Sequence, residues 1–203
     1  MILVIDYGMG NLRSVSKALE HLGGKVEIGS SGKEIRGAEK IVVPGVGAFG
    51  DAMAELEKLD LVDPLREAIS EGKPFLGICL GLQLLFESSE ESPGSRGLRV
   101  WNGKVQAFRS PDIKIPHMGW NDIHFEKRHP LLKGIPDGSF YYFVHTYYAV
   151  PAVDELVVGS CLYGEEPFAA MVGDQNVFAT QFHPEKSQAA GLAILKNFIS
   201  WKP

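Results

Sequence analysis

The first 87 residues alternate short apolar runs with amphipathic segments, and that alternation leaves few folds open. Ile2–Asp6, Lys25–Ile28, Ile41–Val43 and Phe75–Ile78 read as strands. Between the first two, Asn11 can cap a helix that sets Leu12, Val15, Leu19 and Leu22 on one face and stops at Gly23-Gly24. A helical region follows over 52–70, with a break expected at Asp63-Pro64 because proline cannot continue the hydrogen-bond ladder. Leu80–Glu87 opens a further helix. Strand and helix in turn imply an α/β fold: a doubly wound, mostly parallel sheet with helices on both faces, joined by right-handed crossovers. Ligands in such sheets bind beyond the carboxyl ends of the strands. The loops at 7–11, 44–50 and 77–81 lie at such ends.

After Ser88 the pattern changes to short strand-like runs: Arg99–Phe108, Asp122–Phe125, Ser139–Tyr148, Leu156–Leu162, Phe168–Val172 and Val177–Phe182. Asp174-Gln175-Asn176 reads as a hairpin turn. This half is expected to extend the sheet with antiparallel strands, and Ala189–Trp201 to close the chain as a helix. No repeat, linker or low-complexity tract interrupts the sequence, so residues 1–203 read as one domain.

The chemistry concentrates in two places. Residues 77–83 read Gly77-Ile78-Cys79-Leu80-Gly81-Leu82-Gln83, directly after an apolar strand. A small residue two places on each side of a Cys, where a strand meets a helix, is the pattern of a nucleophile elbow, in which the glycines are expected to permit the sharp turn. The turn aims the first amides of the next helix at charge developing on a substrate carbonyl oxygen. About a hundred residues later comes Thr180-Gln181-Phe182-His183-Pro184-Glu185-Lys186. Pro184 ends the strand before it, which leaves His183 and Glu185 two positions apart at a strand end. A thiol attacks as the thiolate, a neighbouring imidazole takes its proton, and a carboxylate orients the imidazole. Cys79, His183 and Glu185 therefore suit acyl transfer.

Bulk properties exclude other classes. The net charge is −5 with no basic run, which argues against nucleic acid as a partner. No apolar stretch reaches the ~18 residues of a membrane span. The N-terminus meets Asp6 without a basic region and reads as a strand, not a signal peptide. Two cysteines, Cys79 and Cys161, make no disulfide framework and fit a reducing, cytoplasmic setting, with Cys161 a structural strand residue. His117, His145 and His183 lack the short spacing of metal ligands, so neither metal nor cofactor is expected. Gly8-Met9-Gly10-Asn11 follows a strand, but the dinucleotide pattern fails because position 13 is Arg.

The Cys elbow followed by a distant His-Pro-Glu resembles the class-I glutamine amidotransferases, which release ammonia from glutamine through a thioester. The resemblance runs the length of the chain. Five stretches narrow it: Asp6–Asn11, Pro44–Gly47, Pro116–Asn121, Tyr142–Tyr147 and Gln181–Ser187. They resemble the branch of histidine biosynthesis that pairs with a separate (β/α)8-barrel cyclase as a heterodimer. Relatives in pyridoxal phosphate synthesis usually carry Gly-Gly-Glu-Ser where this chain has Gly45-Val46-Gly47-Ala48.

The resemblance implies that Cys79 attacks the side-chain amide of L-glutamine, with His183 as base and Glu185 orienting it. It implies the Leu80 N–H as one oxyanion donor and an amide of the Pro44–Gly47 turn, at Val46 or Gly47, as the other. Gln83, Glu91 and Gly45 would hold the substrate, and Phe143-Val144-His145 would meet its carboxylate. Asn11, Trp120, Tyr142 and Lys186 would face the cyclase. Three further readings stay open on sequence: a glutaminase subunit of another synthase, a non-catalytic regulatory subunit of the same fold, and a hydrolase of γ-glutamyl compounds.

Overall fold

The computed structural model describes residues 1–203. The first half contains β1 (Ile2–Ile5), α1 (Leu12–His21), β2 (Val26–Gly29), α2 (Gly32–Gly37), β3 (Lys40–Gly45), α3 (Phe49–Lys58), α4 (Val62–Ser70), β4 (Phe75–Cys79) and α5 (Leu80–Gln83). The second half adds β5 (Ser88–Ser89), β6 (Gly103–Ala107), β7 (His117–Phe125), β8 (Ser139–His145), β9 (Tyr147–Pro151), β10 (Val157–Tyr163), β11 (Glu166–Asp174), β12 (Val177–Thr180) and α6 (Gln188–Ser200). Nine strands form one sheet in the order β2-β1-β3-β4-β12-β11-β10-β7-β8, parallel from β2 through β12 and antiparallel beyond. The α/β reading and the antiparallel extension hold. A separate small sheet, β5-β6-β9, lies outside the sequence expectation.

Alternation along β1 divides the interior. Ile2 and Val4 join Val15 and Leu19 of α1 and Ile194, Leu195 and Phe198 of α6. Leu3 and Ile5 join Phe49, Ala52 and Leu56 of α3 and Leu65 and Ala68 of α4. Each cluster holds 27 buried residues, so the sheet is covered equally on both faces and its strand ends become the place for a site.

The register places the chemistry. β12 runs parallel beside β4 with Thr180 opposite Ile78, so the chain leaves both strands side by side at Cys79 and Gln181. On the other flank β3 pairs with β4, and Gly45 stands opposite Cys79. The turn after Pro44 and the segment carrying His183 thus bracket the cysteine.

Several boundaries differ from expectation. The helix break falls at Leu59–Leu61, where Asp60 takes a left-handed φ of 53° and Leu61 N–H bonds Leu56 C=O, closing α3 with a Schellman turn. Pro64 instead sits in the first turn of α4, where no N–H is required of it. Helix α5 ends at Gln83, not Glu87, because the next carbonyls, Leu84 and Leu85, accept from Leu98 and Val100 at 2.7 and 2.9 Å. Asn11 precedes α1 but makes no side-chain cap. The expected strand Ser139–Tyr148 is two strands: β8 pairs with β7, β9 pairs with β6, and Thr146 passes between the sheets.

Candidate active site

Cys79 sits at the β4–α5 junction with φ 56° and ψ −108°, a conformation that costs a non-glycine residue about 1–3 kcal/mol. The flanking glycines are required for a reason other than the one expected. Neither has a positive φ; they supply room. A Cβ on Gly81 would stand 1.9 Å from the Val43 carbonyl oxygen, and one on Gly77 would stand 2.6 Å from the Gly81 oxygen. The cysteine bears the strain, and the glycines let two strands and a helix close around it.

Behind the elbow, His183 Nδ1 lies 3.0 Å from Glu185 Oε1, and both side chains are withdrawn from solvent, at 2% and 0% exposure. His183 Nε2 has no hydrogen-bond partner, and neither does Glu185 Oε2. Burial alone would lower the imidazole pKa, but Cys79 and Glu185 together outweigh it and hold the value up to about 9. The segment is braced by the His183 N–H to the Tyr142 carbonyl at 3.0 Å and by the Ser187 hydroxyl to the His183 carbonyl at 2.7 Å. A thiol, an imidazole raised in basicity and a buried carboxylate can together form and hydrolyse a thioester.

Cys79 opens on a cavity of about 340 Å³. Of the residues picked from sequence, Val46, Gly47, Leu80, Gln83, Glu91, Val144 and His145 line it, and Pro116, Thr146 and Tyr147 join them. Two expected binding residues do not. Phe143 is fully buried and stacks on His117 at 4.7 Å between ring centres. Gly45 packs beneath Leu80 and the Tyr7 hydroxyl, which would lie 2.4 Å from a Cβ there. Glu91 Oε2 accepts the Phe49 N–H at 2.7 Å, which fastens the loop to the start of α3. The Gln83 amide nitrogen is engaged within the protein, to the Tyr147 carbonyl at 2.9 Å and to Gln181 Oε1 at 3.2 Å.

Two contributors were not singled out from sequence. Tyr7 donates to the Pro44 carbonyl at 2.9 Å and so anchors the start of the turn through Val46 and Gly47. Gln181 places its amide nitrogen 3.8 Å from Cys79 Sγ. Its spacing from His183 was the available signal, since residues two apart on an extended chain share a side.

His117 and His145 form a second buried pair, Nδ1 to Nε2 at 3.0 Å, with His145 Nδ1 donating to the Tyr147 carbonyl at 2.9 Å. Burial pushes them down to about 4 and about 3, His145 also feeling His117 and His183. Cys161 is buried and its thiol is pushed up to about 12, chiefly by burial, which suits its structural reading. No group of three or more His, Cys, Asp or Glu side chains is arranged to hold a metal ion. No helix is long and apolar enough to cross a membrane.

Three of the four expected interface residues lie together, Trp120 and Tyr142 on the outer strands and Lys186 in the turn after His183. Trp120 and Tyr142 are cross-strand partners on β7 and β8 with rings 6.0 Å apart, and Lys186 Nζ lies 5.9 Å from the Tyr142 ring centre. Trp120 is 46% exposed, with Met118 and Phe140 also exposed on these strands. Asn11 is partly exposed in the separate 7–11 loop.

The family model of the class-I glutamine amidotransferases matches residues 3–201, and the chain belongs to that family. Its fold matches the solved structure of PurLQS from Thermotoga maritima with a TM-score of 0.76 at 21% identity, over 98% of this chain and 97% of that one. A crystal structure of a glutamine amidotransferase matches with a TM-score of 0.74 at 19% identity, over 95% of both chains. Within the class, the likeness narrows to imidazole glycerol phosphate synthase subunit HisH. The HisH of Moorella thermoacetica is 51% identical over 97% of this chain and 93% of its own length. That of Methanosarcina mazei is 52% identical over 98% and 97%, and that of Geobacter sulfurreducens 48% over 99% of each.

Proposed function

We propose that this chain is the glutaminase subunit of an imidazole glycerol phosphate synthase of histidine biosynthesis, hydrolysing L-glutamine to glutamate and ammonia. The observation that carries the reading is the strained Cys79 elbow set against the buried His183–Glu185 pair at the mouth of one cavity. Cys79 gives its proton to His183 and its sulfur attacks the glutamine Cδ. The amide oxygen takes up the negative charge against the N–H of Leu80 and one from Val46 or Gly47. The C–N bond then breaks, His183 returns the proton to the departing nitrogen, and ammonia leaves a thioester on Cys79. Water, deprotonated by His183, attacks the thioester and releases glutamate. Glu185 keeps Nδ1 as the donor to itself, which leaves Nε2 for the proton transfers. Glu91, lining the cavity, suits the substrate ammonium, and Val144 and His145, which line it too, would meet the carboxylate.

As a synthase subunit the chain works with a partner. The partner we propose is a (β/α)8-barrel cyclase that uses the ammonia to form imidazole glycerol phosphate and AICAR. The exposed Trp120 and Lys186 and the half-buried Tyr142 form a face that would meet it, with Asn11 contributing from the separate 7–11 loop. The test is ammonia release from glutamine by the chain with and without the cyclase. Cys79→Ala should abolish release, while cyclase turnover on free ammonia survives. Glutamine turnover near wild type in Cys79→Ala would sink the mechanism.

A further inference from the structure

Gln181 emerges from β12 immediately after Thr180, is fully buried, and fixes its backbone by donating to the Ala170 carbonyl at 2.9 Å. Its side chain lies between two groups. On one side is Gln83 Nε2 at 3.2 Å, whose NH2 also serves the Tyr147 carbonyl at 2.9 Å. On the other is Cys79 Sγ at 3.8 Å. An NH2 only donates, so the Gln181 atom facing Gln83 is its oxygen, and its own NH2 is turned to the sulfur. Both ends of a buried carboxamide are thereby satisfied, which removes the penalty of burying it.

We infer that Gln181 is a further catalytic residue, an uncharged N–H donor to the Cys79 sulfur, and that Gln83 positions it. This inference rests on the glutaminase reading for its chemical meaning. An N–H donor favours the anionic sulfur over the neutral thiol. It therefore acts twice: when Cys79 passes its proton to His183, and when the C–S bond of the thioester breaks and the electron pair returns to sulfur. The titratable groups around the sulfur are His183 and Glu185 after β12, Tyr7 after β1, and Glu91 and His145 in the cavity. Gln181 titrates with none of them, so replacing it isolates a neutral donor.

The experiment is the pH profile of Cys79 alkylation by iodoacetamide in the chain without glutamine, read by peptide mass spectrometry, with buried Cys161 as internal reference. Gln181→Met keeps length and loses the N–H; Gln181→Glu keeps shape and sets an oxygen against the sulfur. In Gln181→Met the alkylation midpoint should move up by about one pH unit, and kcat for glutamine in the assembled synthase should fall about tenfold with KM within about twofold. Gln181→Glu should shift both further in the same direction. Gln83→Met, which frees the Gln181 amide, should shift the alkylation midpoint less. An unchanged midpoint in both Gln181→Glu and Gln83→Met overturns the inference even where Gln181→Met fails to fold. A shifted midpoint in a chain that leaves glutamine intact would uphold the sulfur contact and remove the glutaminase reading instead.

Discussion

His183 and His145 are buried near the same cysteine, yet the fold drives their basicities in opposite directions. His183 is held up to about 9; His145 is pushed down to about 3 and its neighbour His117 to about 4. Burial acts on all three alike and favours the neutral ring. The difference lies in the neighbours: the Cys79 sulfur and the bonded Glu185 carboxylate for His183, a carbonyl and a second imidazole for His145. Desolvation makes a structural histidine, and only an acidic neighbour turns a buried one into a proton carrier.

The largest test of that contrast removes each partner in turn. His183→Ala should lower glutamine turnover by at least about a thousandfold, as should Cys79→Ala. It should also lower stability by roughly 3–5 kcal/mol, because the Glu185 carboxylate is left buried without a counter-charge. Adding Glu185→Gln to it should recover much of that stability and none of the activity. Glu185→Gln alone keeps nucleophile and base, so its activity loss should be some ten- to a hundredfold smaller than that of His183→Ala. Ammonia release and melting curves on the same four proteins decide it; a stable, orphaned Glu185 would mean the pair carries no charge.

A pH series sharpens the comparison at intermediate magnitude. A folded value above the ordinary ~6.5 means that the folded state keeps a proton the unfolded state has released, so the His183 contribution is complete below ~6.5 and is lost as pH rises through about 9. For His145 and His117 the folded values lie below the ordinary one. Their contribution is present above ~6.5 and is lost as pH falls towards about 3 for His145 and about 4 for His117. In melting curves from pH 4 to 10, His145→Gln should flatten the acid limb and leave the alkaline limb in place. Matching changes on both limbs would show that the two sites are not independent.

The smallest effect is expected on the surface. Lys186→Ala should change melting by no more than about 0.5 kcal/mol, because its ammonium is exposed over the Tyr142 ring. It should still reduce stimulation of glutaminase activity by the cyclase and its ligand. Equal stimulation in Lys186→Ala and wild type would detach this face from the partner.

What the sequence made legible follows from range. The α/β core, Cys79, His183 and Glu185 were readable because each is announced by its near neighbours: apolar periodicity, Gly77 and Gly81, Pro184. The features that escaped are set by distant chain. Helix α5 is cut short by Leu98 and Val100, which compete for its carbonyls. Ser139–Tyr148 divides at Thr146 because two different sheets claim its halves. Gln83, a substrate ligand by resemblance, does line the cavity, but the anchoring of its nitrogen by Tyr147 and Gln181 has no local signal. Phe143, a candidate at the cavity through the family resemblance, belongs to the core through His117.

The closeness of Gly81 to Val43 also bears on how such a chain can change over generations. With 1.9 Å between a hypothetical Cβ and the Val43 carbonyl, and 2.6 Å for Gly77 against Gly81, one amino acid of twenty fits at either position without displacing backbone. Val43 leads into the turn that carries Val46 and Gly47, so a displacement there would carry the turn with it. Mutational drift is therefore closed at the elbow and open at the outer strands, where Met118 and Phe140 project into solvent. A lineage of such chains can alter what it docks against far more readily than how it holds its sulfur.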